Sequence, residues 1–302
     1  MTTNHIPVMK AEVLQLLRPR GDGWIVDATV GSGGHAQAIL STETFTGMLL
    51  GLDRDRDALA MASQRLEPFA DRVRLRHAEF DELAAVLRRE NLERVDGLLL
   101  DLGVSSMQLD APDRGFSFLH DGPLDMRMDT TRGNTLGRML DRIDPAELER
   151  ILREYGEERH ARRIATAILD AHRSRRLQTT GQLAEVVAKA IPRRGGYQRI
   201  HPATRTFMAL RILVNDELTQ LEHVLSTAKE LLRPEGRLVV LSYHSLEDRI
   251  VKQTLRAQAK EGAWTLLSRK PLRPDPEESR TNPRSRSAKL RAAERTGHAS
   301  AR

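Results

Sequence analysis

A glycine-dense turn between an apolar run and a helix-compatible run limits what this chain can fold into. Trp24-Ile-Val-Asp27 is strand-like, Gly31, Gly33 and Gly34 follow within a few residues, and 35–40 suits a helix. Glycine lets backbone take positive φ and approach a ligand closely, so strand, glycine turn and helix in that order describe a nucleotide site. The same alternation continues. Strands are predicted at 24–27, 47–53, 73–77 and 95–102, with helices near 36–40, 57–65 and 81–89 between them. Parallel strands joined by right-handed helical crossovers satisfy that order, so this half is α/β.

The periodicity changes after residue 105. A stretch rich in Gly, Pro and Asp runs to about 135, and helical patterns follow. One has Asp144 at the N-cap, Pro145 at the first helical position and Leu148, Ile151, Leu152 and Tyr155 on one face. Another covers 161–172, a third follows Thr180 as N-cap, and a long helix is expected from about 205 to 232. Strands are expected again at 237–243, 264–267 and 289–293, with a helix at 246–259. The simplest organisation is a doubly wound, mostly parallel α/β sheet with an inserted helical domain. Residues 1–108 and 205–295 form the sheet domain, 109–204 the insert, and 296–302 is expected to be a disordered tail.

The chain has 302 residues, no cysteine and a net charge of +6. Missing cysteine excludes disulfides, thiolate metal sites and cysteine nucleophiles. The first residues hold no apolar core suited to a signal peptide, and no 18-residue apolar run occurs, so a cytoplasmic protein without a membrane partner is expected. The charge is uneven. Residues 265–302 hold ten Lys/Arg against four Asp/Glu, the whole of the net charge. Residues 159–176 carry six Arg against Asp170 alone, and 186–204 carry four cations and no acid. Such clusters suit a polyanionic partner, although solvated helix faces and a disordered tail produce the same pattern.

The turn itself admits two ligands. Gly31-Ser-Gly33-Gly-His-Ala36 fits the dinucleotide pattern G-x-G-x-x-A, with Asp53 about twenty residues on to hold a ribose. Asp27, immediately before the turn, favours S-adenosylmethionine instead, because a carboxylate there answers an ammonium and no pyrophosphate has to be seated. Asp53 ends its strand at the edge where ligands of such sheets lie, and can accept ribose hydroxyls; a solvated loop acid is the alternative. Phe80 is placed to pack on an adenine or equally to sit in the core. Asp101 ends the fourth strand at the same edge, followed by the small residues Gly103, Ser105 and Ser106, and is a candidate to orient an exocyclic amine. No histidines show metal-ligand spacing, and His201 and His244 suit structure or RNA contact better than zinc.

Several motifs together resemble the RsmH (MraW) family: His5-Ile-Pro-Val, Asp27-Ala-Thr-Val-Gly-Ser-Gly-Gly-His, Asp101-Leu-Gly-Val-Ser-Ser-Met-Gln-Leu-Asp, Arg114-Gly-Phe-Ser-Phe, Pro123-Leu-Asp-Met-Arg-Met, the run from His201 to Ile212, Ser242-Tyr-His-Ser-Leu-Glu-Asp-Arg and the run from Asn282 to Arg291. The likeness covers nearly the whole chain. It implies methylation of the exocyclic N4 of a cytidine in the decoding region of 16S rRNA, within the small ribosomal subunit, with S-adenosylmethionine as donor. Transfer from a sulfonium needs geometry more than acid–base chemistry, so no metal is expected. Carried over by position, the cofactor contacts fall on Gly33, Gly34, His35, Asp53, Phe80, Asp101 and Gln108. A target base must be unstacked to be reached. The basic clusters make the insert the expected RNA reader, with Arg193, Arg194, Arg199, Arg284 and Arg286 as phosphate contacts. A dinucleotide oxidoreductase and a non-catalytic ribosome-assembly factor are the rival readings.

Overall fold

Apolar runs buried on both sides become the central strands of a single seven-stranded sheet, with more polar strands at its edges. A computed structural model describes residues 6–192 and 201–297. The strands are β1 (Trp24–Asp27), β2 (Met48–Asp53), β3 (Val73–His77), β4 (Val95–Asp101), β5 (Leu232–Ser242), β6 (Trp264–Leu266) and β7 (Lys289–Arg295). Their order is β3-β2-β1-β4-β5-β7-β6. β1 to β5 run parallel, and β7 is antiparallel to both its neighbours. The dinucleotide order 3-2-1-4-5-6 has no such reversed strand between the fifth and the sixth.

Period-two alternation sends neighbouring side chains to opposite faces. Ile25, Leu49, Leu99 and Val239 enter one core with Val13, Ile39 and Ala62. Val26, Leu50, Leu98 and Val240 enter the other with Val86, Leu225 and Val251. Helices Lys10–Leu17, Gly34–Leu40 and Arg56–Arg65 therefore cover one face, and Leu83–Arg89, Glu217–Leu231 and Ser245–Lys260 the other. Both faces are sealed, which leaves the carboxyl ends of β1, β2, β4 and β5 as the edge where polar groups collect.

The chain divides into two compact units, 1–103 with 218–302, and 104–217. The expected boundaries at 108/109 and 204/205 are corrected. The second unit opens at Val104, and helix Thr204–Asn215 belongs to it because Phe207, Ala209 and Leu210 join its core. The long helix expected from 205 to 232 is two helices, separated at Asp216, whose φ of 48° is left-handed. Helices Lys10–Leu17 and Ser106–Asp110 were not anticipated. Of the expected tail, Thr296 is tied down, donating its N–H to Ala263 O at 3.1 Å; 298–302 lie outside the described residues.

Unit 104–217 packs helices Pro145–Glu154, Ala161–Arg173, Thr180–Ala190 and Thr204–Asn215 around Leu148, Ile151, Ile164, Ile168, Leu183 and Val187. Asp144 caps the first, its carboxylate accepting from Ala146 N at 2.8 Å. Thr179, not Thr180, caps the third and forms a capping box with Gln182. The Pro123–Met128 loop is clamped from within the unit. Asn215 accepts from Met128 N at 2.7 Å and donates to Met126 O at 2.8 Å, while buried Arg114 donates to Met128 O at 2.8 Å. Two of the quoted motifs, Arg114-Gly-Phe-Ser-Phe and Pro123-Leu-Asp-Met-Arg-Met, thus have a structural role in one clamp.

Candidate active site

The glycine turn is shaped by its neighbours on both sides. Gly33 sits at the N-cap of Gly34–Leu40 with φ of 83°, and a Cβ there would lie 3.3 Å from Ala62 Cα. Gly31 donates its N–H to Asp53 Oδ2 at 2.8 Å, tying the turn to the end of β2. Gly33→Ala would combine left-handed strain with that close contact and cost about 1–2 kcal/mol. The expected result is a lower Tm together with weaker S-adenosylmethionine binding in the same sample. Unchanged values in both would show that the turn tolerates a side chain.

Three carboxylates meet at the strand ends. Asp27 closes β1 and is 1% exposed. Its Oδ1 accepts from Thr29 N at 3.3 Å. Thr29 Oγ1 in turn accepts from Asp101 N at 2.7 Å, which couples the ends of β1 and β4. Asp101 Oδ1 accepts from Tyr243 Oη at 2.7 Å, and its Oδ2 lies 3.5 Å from His35 Nε2. Tyr243 is held by its own N–H, which donates to Glu247 Oε2 at 2.7 Å. Gly103, at φ of 94°, passes beside the Tyr243 ring, 3.4 Å from where its Cβ would be.

Electrostatics follow from this crowding. Burial pushes the Asp27 carboxyl up to about 7, His35 opposes the rise, and Asp101 and Asp53 add to it. For His35, burial alone would lower the pKa, but Asp101 and the charges of Asp27 and Glu278 hold it above its ordinary value. Asp53 is also raised by burial, against the backbone N–H groups of Asp55 and Gly31. Burial and the neighbouring Asp101 carboxylate keep the Tyr243 hydroxyl protonated far above the usual phenol range. A clustered set of acids repels a pyrophosphate and attracts a cation.

The other expected contacts fall as follows. Both Asp53 oxygens already accept a backbone N–H at 2.8 Å, from Gly31 and Asp55, and each retains a further lone pair for a ribose hydroxyl. Phe80 is 6% exposed, within the sheet core, with the Arg54 guanidinium 5.6 Å from its ring centre. Gln108 belongs to the other unit, where it is buried and forms a capping box with Ser105. Arg193, Arg194 and Arg199 lie outside the described residues. Arg284 and Arg286 are exposed on the turn Pro283–Ser287, Arg286 donating to Ser279 O at 3.0 Å. Part of the basic tail is engaged internally, since Lys289 and Arg291 both bind Asp248. His244 caps Ser245–Lys260, and His201 stacks on Phe118 with centroids 4.5 Å apart. Sequence reasoning gave no role to Tyr243 or Thr29. Tyr243 directly follows β5, the neighbour of β4, and that adjacency is the signal that places it beside Asp101.

S-adenosylmethionine fits this edge. It carries a sulfonium and an ammonium where the acids cluster, and His35, with Nε2 facing Asp101 at 3.5 Å, keeps Nδ1 buried without a hydrogen-bond partner, suited to the polar amino-acid end of such a ligand. The reversed β7, the glycine turn and the acidic edge define a Rossmann-like S-adenosylmethionine-dependent methyltransferase, and the dinucleotide reading falls. More narrowly, the chain belongs to the MraW methylase family, whose model matches residues 2–296. It is 49% identical over 308 residues to the "Ribosomal RNA small subunit methyltransferase H" of Syntrophotalea carbinolica, covering 96% of this chain and 98% of that one. The protein of the same name from Geobacter sulfurreducens is 49% identical over 310 residues, covering 98% and 100%. A solved structure described as a putative rRNA-methylase from Clostridium thermocellum superposes with a TM-score of 0.44 at 14% identity, covering 95% of this chain and 94% of that one.

Proposed function

We propose that this chain methylates the exocyclic N4 of a cytidine in the decoding region of 16S rRNA, acting on the small ribosomal subunit. The observation that carries the chemistry is the presentation of Asp101. Tyr243 occupies one carboxylate oxygen and Thr29 fixes the backbone behind it, so the other oxygen is aimed by two hydrogen bonds. The name shared by the relatives supports small-subunit rRNA as the substrate.

The amine of cytosine is conjugated with its ring, and its lone pair must leave that plane before it can attack a methyl carbon. An acceptor at Asp101 Oδ2 draws one amine hydrogen and turns the nitrogen into line. Bound S-adenosylmethionine supplies the electrophilic methyl on its sulfonium sulfur. As the N–C bond forms the S–CH3 bond would break, its electron pair staying on sulfur as a neutral thioether; the nitrogen becomes acidic, and Asp101 or water takes its proton. Asp27 and His35 hold the amino-acid end of the donor, and Asp53 its ribose.

The experiment is methyl transfer from labelled S-adenosylmethionine to small subunits from a strain lacking this enzyme, followed by nucleoside digestion and mass spectrometry. N4-methylcytidine from the decoding region is expected. Label on a different nucleoside would move the acceptor, and binding of the donor with no label in any RNA would leave the assembly-factor reading.

A further inference from the structure

Unit 104–217 contains a cavity of about 560 Å³ between the start of Pro145–Glu154 and the end of Ala161–Arg173, lined among others by Asp141, Arg142, Asp144, His172, Arg173 and Arg175. Its two acids are already engaged. Asp144 caps a helix through Ala146 N, and Asp141 Oδ1 holds His172 Nε2 at 2.7 Å. Its three arginines are exposed, and among the described residues none of their side chains has a hydrogen bond or ion pair. His172 adds a second unsatisfied group, because its Nδ1 is buried without a partner. The lining thus offers guanidinium donors with nothing of the protein's own to receive them.

Backbone geometry fixes the position of Arg175. Helix Ala161–Arg173 ends in a Schellman motif, with Arg175 N donating to His172 O and Arg176 N to Ala171 O, both at 2.9 Å. Arg175 occupies the left-handed position of that motif, φ 55°, where glycine is the unstrained choice. This is ordinary helix-end geometry, shared by Arg18 at the end of Lys10–Leu17, and it sets Arg175 on the cavity wall. Cations here also complement the carbonyl end of the helix, a role that acts on stability alone.

We infer that this cavity is a phosphodiester-binding site, in which Arg142, Arg173 and Arg175 clamp the backbone of the substrate RNA. The inference rests on the proposed rRNA substrate. It assigns a seat for the RNA backbone within unit 104–217, and the arginines supply the bidentate donors that phosphate oxygens accept.

Two variants test it in the full-length protein. Arg175→Gly relieves the left-handed strain, so Tm is expected to rise, while KM for small subunits increases severalfold and kcat and the Kd for S-adenosylmethionine stay put. The triple variant R142Q/R173Q/R175Q is expected to raise KM at least tenfold. It should also lower the slope of log affinity against log salt, measured by filter binding of subunits, by about 2, at roughly 0.7 per lost contact. Lys260→Gln, an exposed cation of the first unit, serves as the control with no change. If Arg175→Gly raises Tm with KM unmoved, or the triple variant keeps the wild-type salt slope, the arginines serve only the helix end and the site is lost. Failure of the rRNA reading shows separately, as wild-type enzyme that leaves small subunits unmethylated.

Discussion

Asp101→Asn is expected to lower kcat about 10²- to 10³-fold while leaving the fold intact, because a positioned acceptor at the reacting nitrogen contributes on that scale. The change keeps the shape of the side chain. Its carbonyl oxygen can still accept from Tyr243 Oη, and the bond from residue 101 N to Thr29 Oγ1 does not involve the side chain. What is lost is the charge and the acceptor itself, because with the carbonyl oxygen on Tyr243 the atom facing the amine becomes an NH2 donor. Tyr243→Phe removes the hydrogen bond that aims the carboxylate and keeps the ring beside Gly103. A hydrogen bond to a charged group is worth about 1.5–3 kcal/mol, so kcat should fall about 10- to 100-fold. Tyr243 is a positioning residue, and its signature is a fall in kcat with KM for subunits unchanged. Single-turnover methylation at varied subunit concentration measures the two quantities apart, and calorimetric titration of S-adenosylmethionine checks that the donor still binds. Methyl transfer by Asp101→Asn within threefold of wild type would falsify the assignment.

The sheet was legible because its strands are short apolar runs closed by acids. Residues 24–27 end in Asp27, β2 ends in Asp53 and β4 ends in Asp101, and each acid sits where the strand leaves the core. Patterning alone therefore put three carboxylates at one edge. It did not show that Asp27, Asp101 and His35 share one electrostatic environment, since that depends on Thr29 joining two strand ends and on Tyr243 arriving from a strand more than a hundred residues away. The break at Asp216 was hidden for a local reason. Apolar spacing continues across it, and aspartate, unlike glycine, does not announce a left-handed residue. The helices of unit 104–217 were readable from their faces, but the exchange of Thr204–Asn215 into that unit was not, because Phe207 and Leu210 would suit any core. Basic clusters gave charge without geometry. Lys289 and Arg291 prove to be ion-paired to Asp248, while Arg142, Arg173 and Arg175 on the cavity wall have no ion pair among the described residues.

Lowering the pH from 7.5 to 5.5 is expected to weaken S-adenosylmethionine binding by well over tenfold, with Asp27 as the main cause. Burial holds this carboxyl at about 7, against 3.8 in its absence. Below that value it is mostly neutral and presents no charge to the ammonium of the ligand. Each further pH unit then costs about a factor of ten in affinity for a ligand that requires the ionised form. His35, itself raised, works in the same direction, since its protonation adds a positive charge beside a cationic ligand. The free protein shows the opposite sign. A carboxyl whose folded pKa is raised binds more protons folded than unfolded, so its stabilising effect is full below about 4 and is lost as pH rises through 7. At about 1.4 kcal/mol per pH unit the change is on the order of 4 kcal/mol. Bound donor should offset that loss by favouring the ionised form, so the Tm gain from ligand grows with pH over the same window. Asp27→Asn separates these effects without altering shape, because its carbonyl oxygen can still accept from Thr29 N. The variant should show a flattened pH dependence of both Tm and Kd between 5.5 and 7.5, with affinity at pH 7.5 reduced about 10- to 100-fold. Calorimetry at pH 6 in buffers of differing ionisation enthalpy should detect close to one proton released on binding to wild type and fewer with the variant. A variant that keeps the wild-type proton release would place the titrating group elsewhere, with His35 the first to examine.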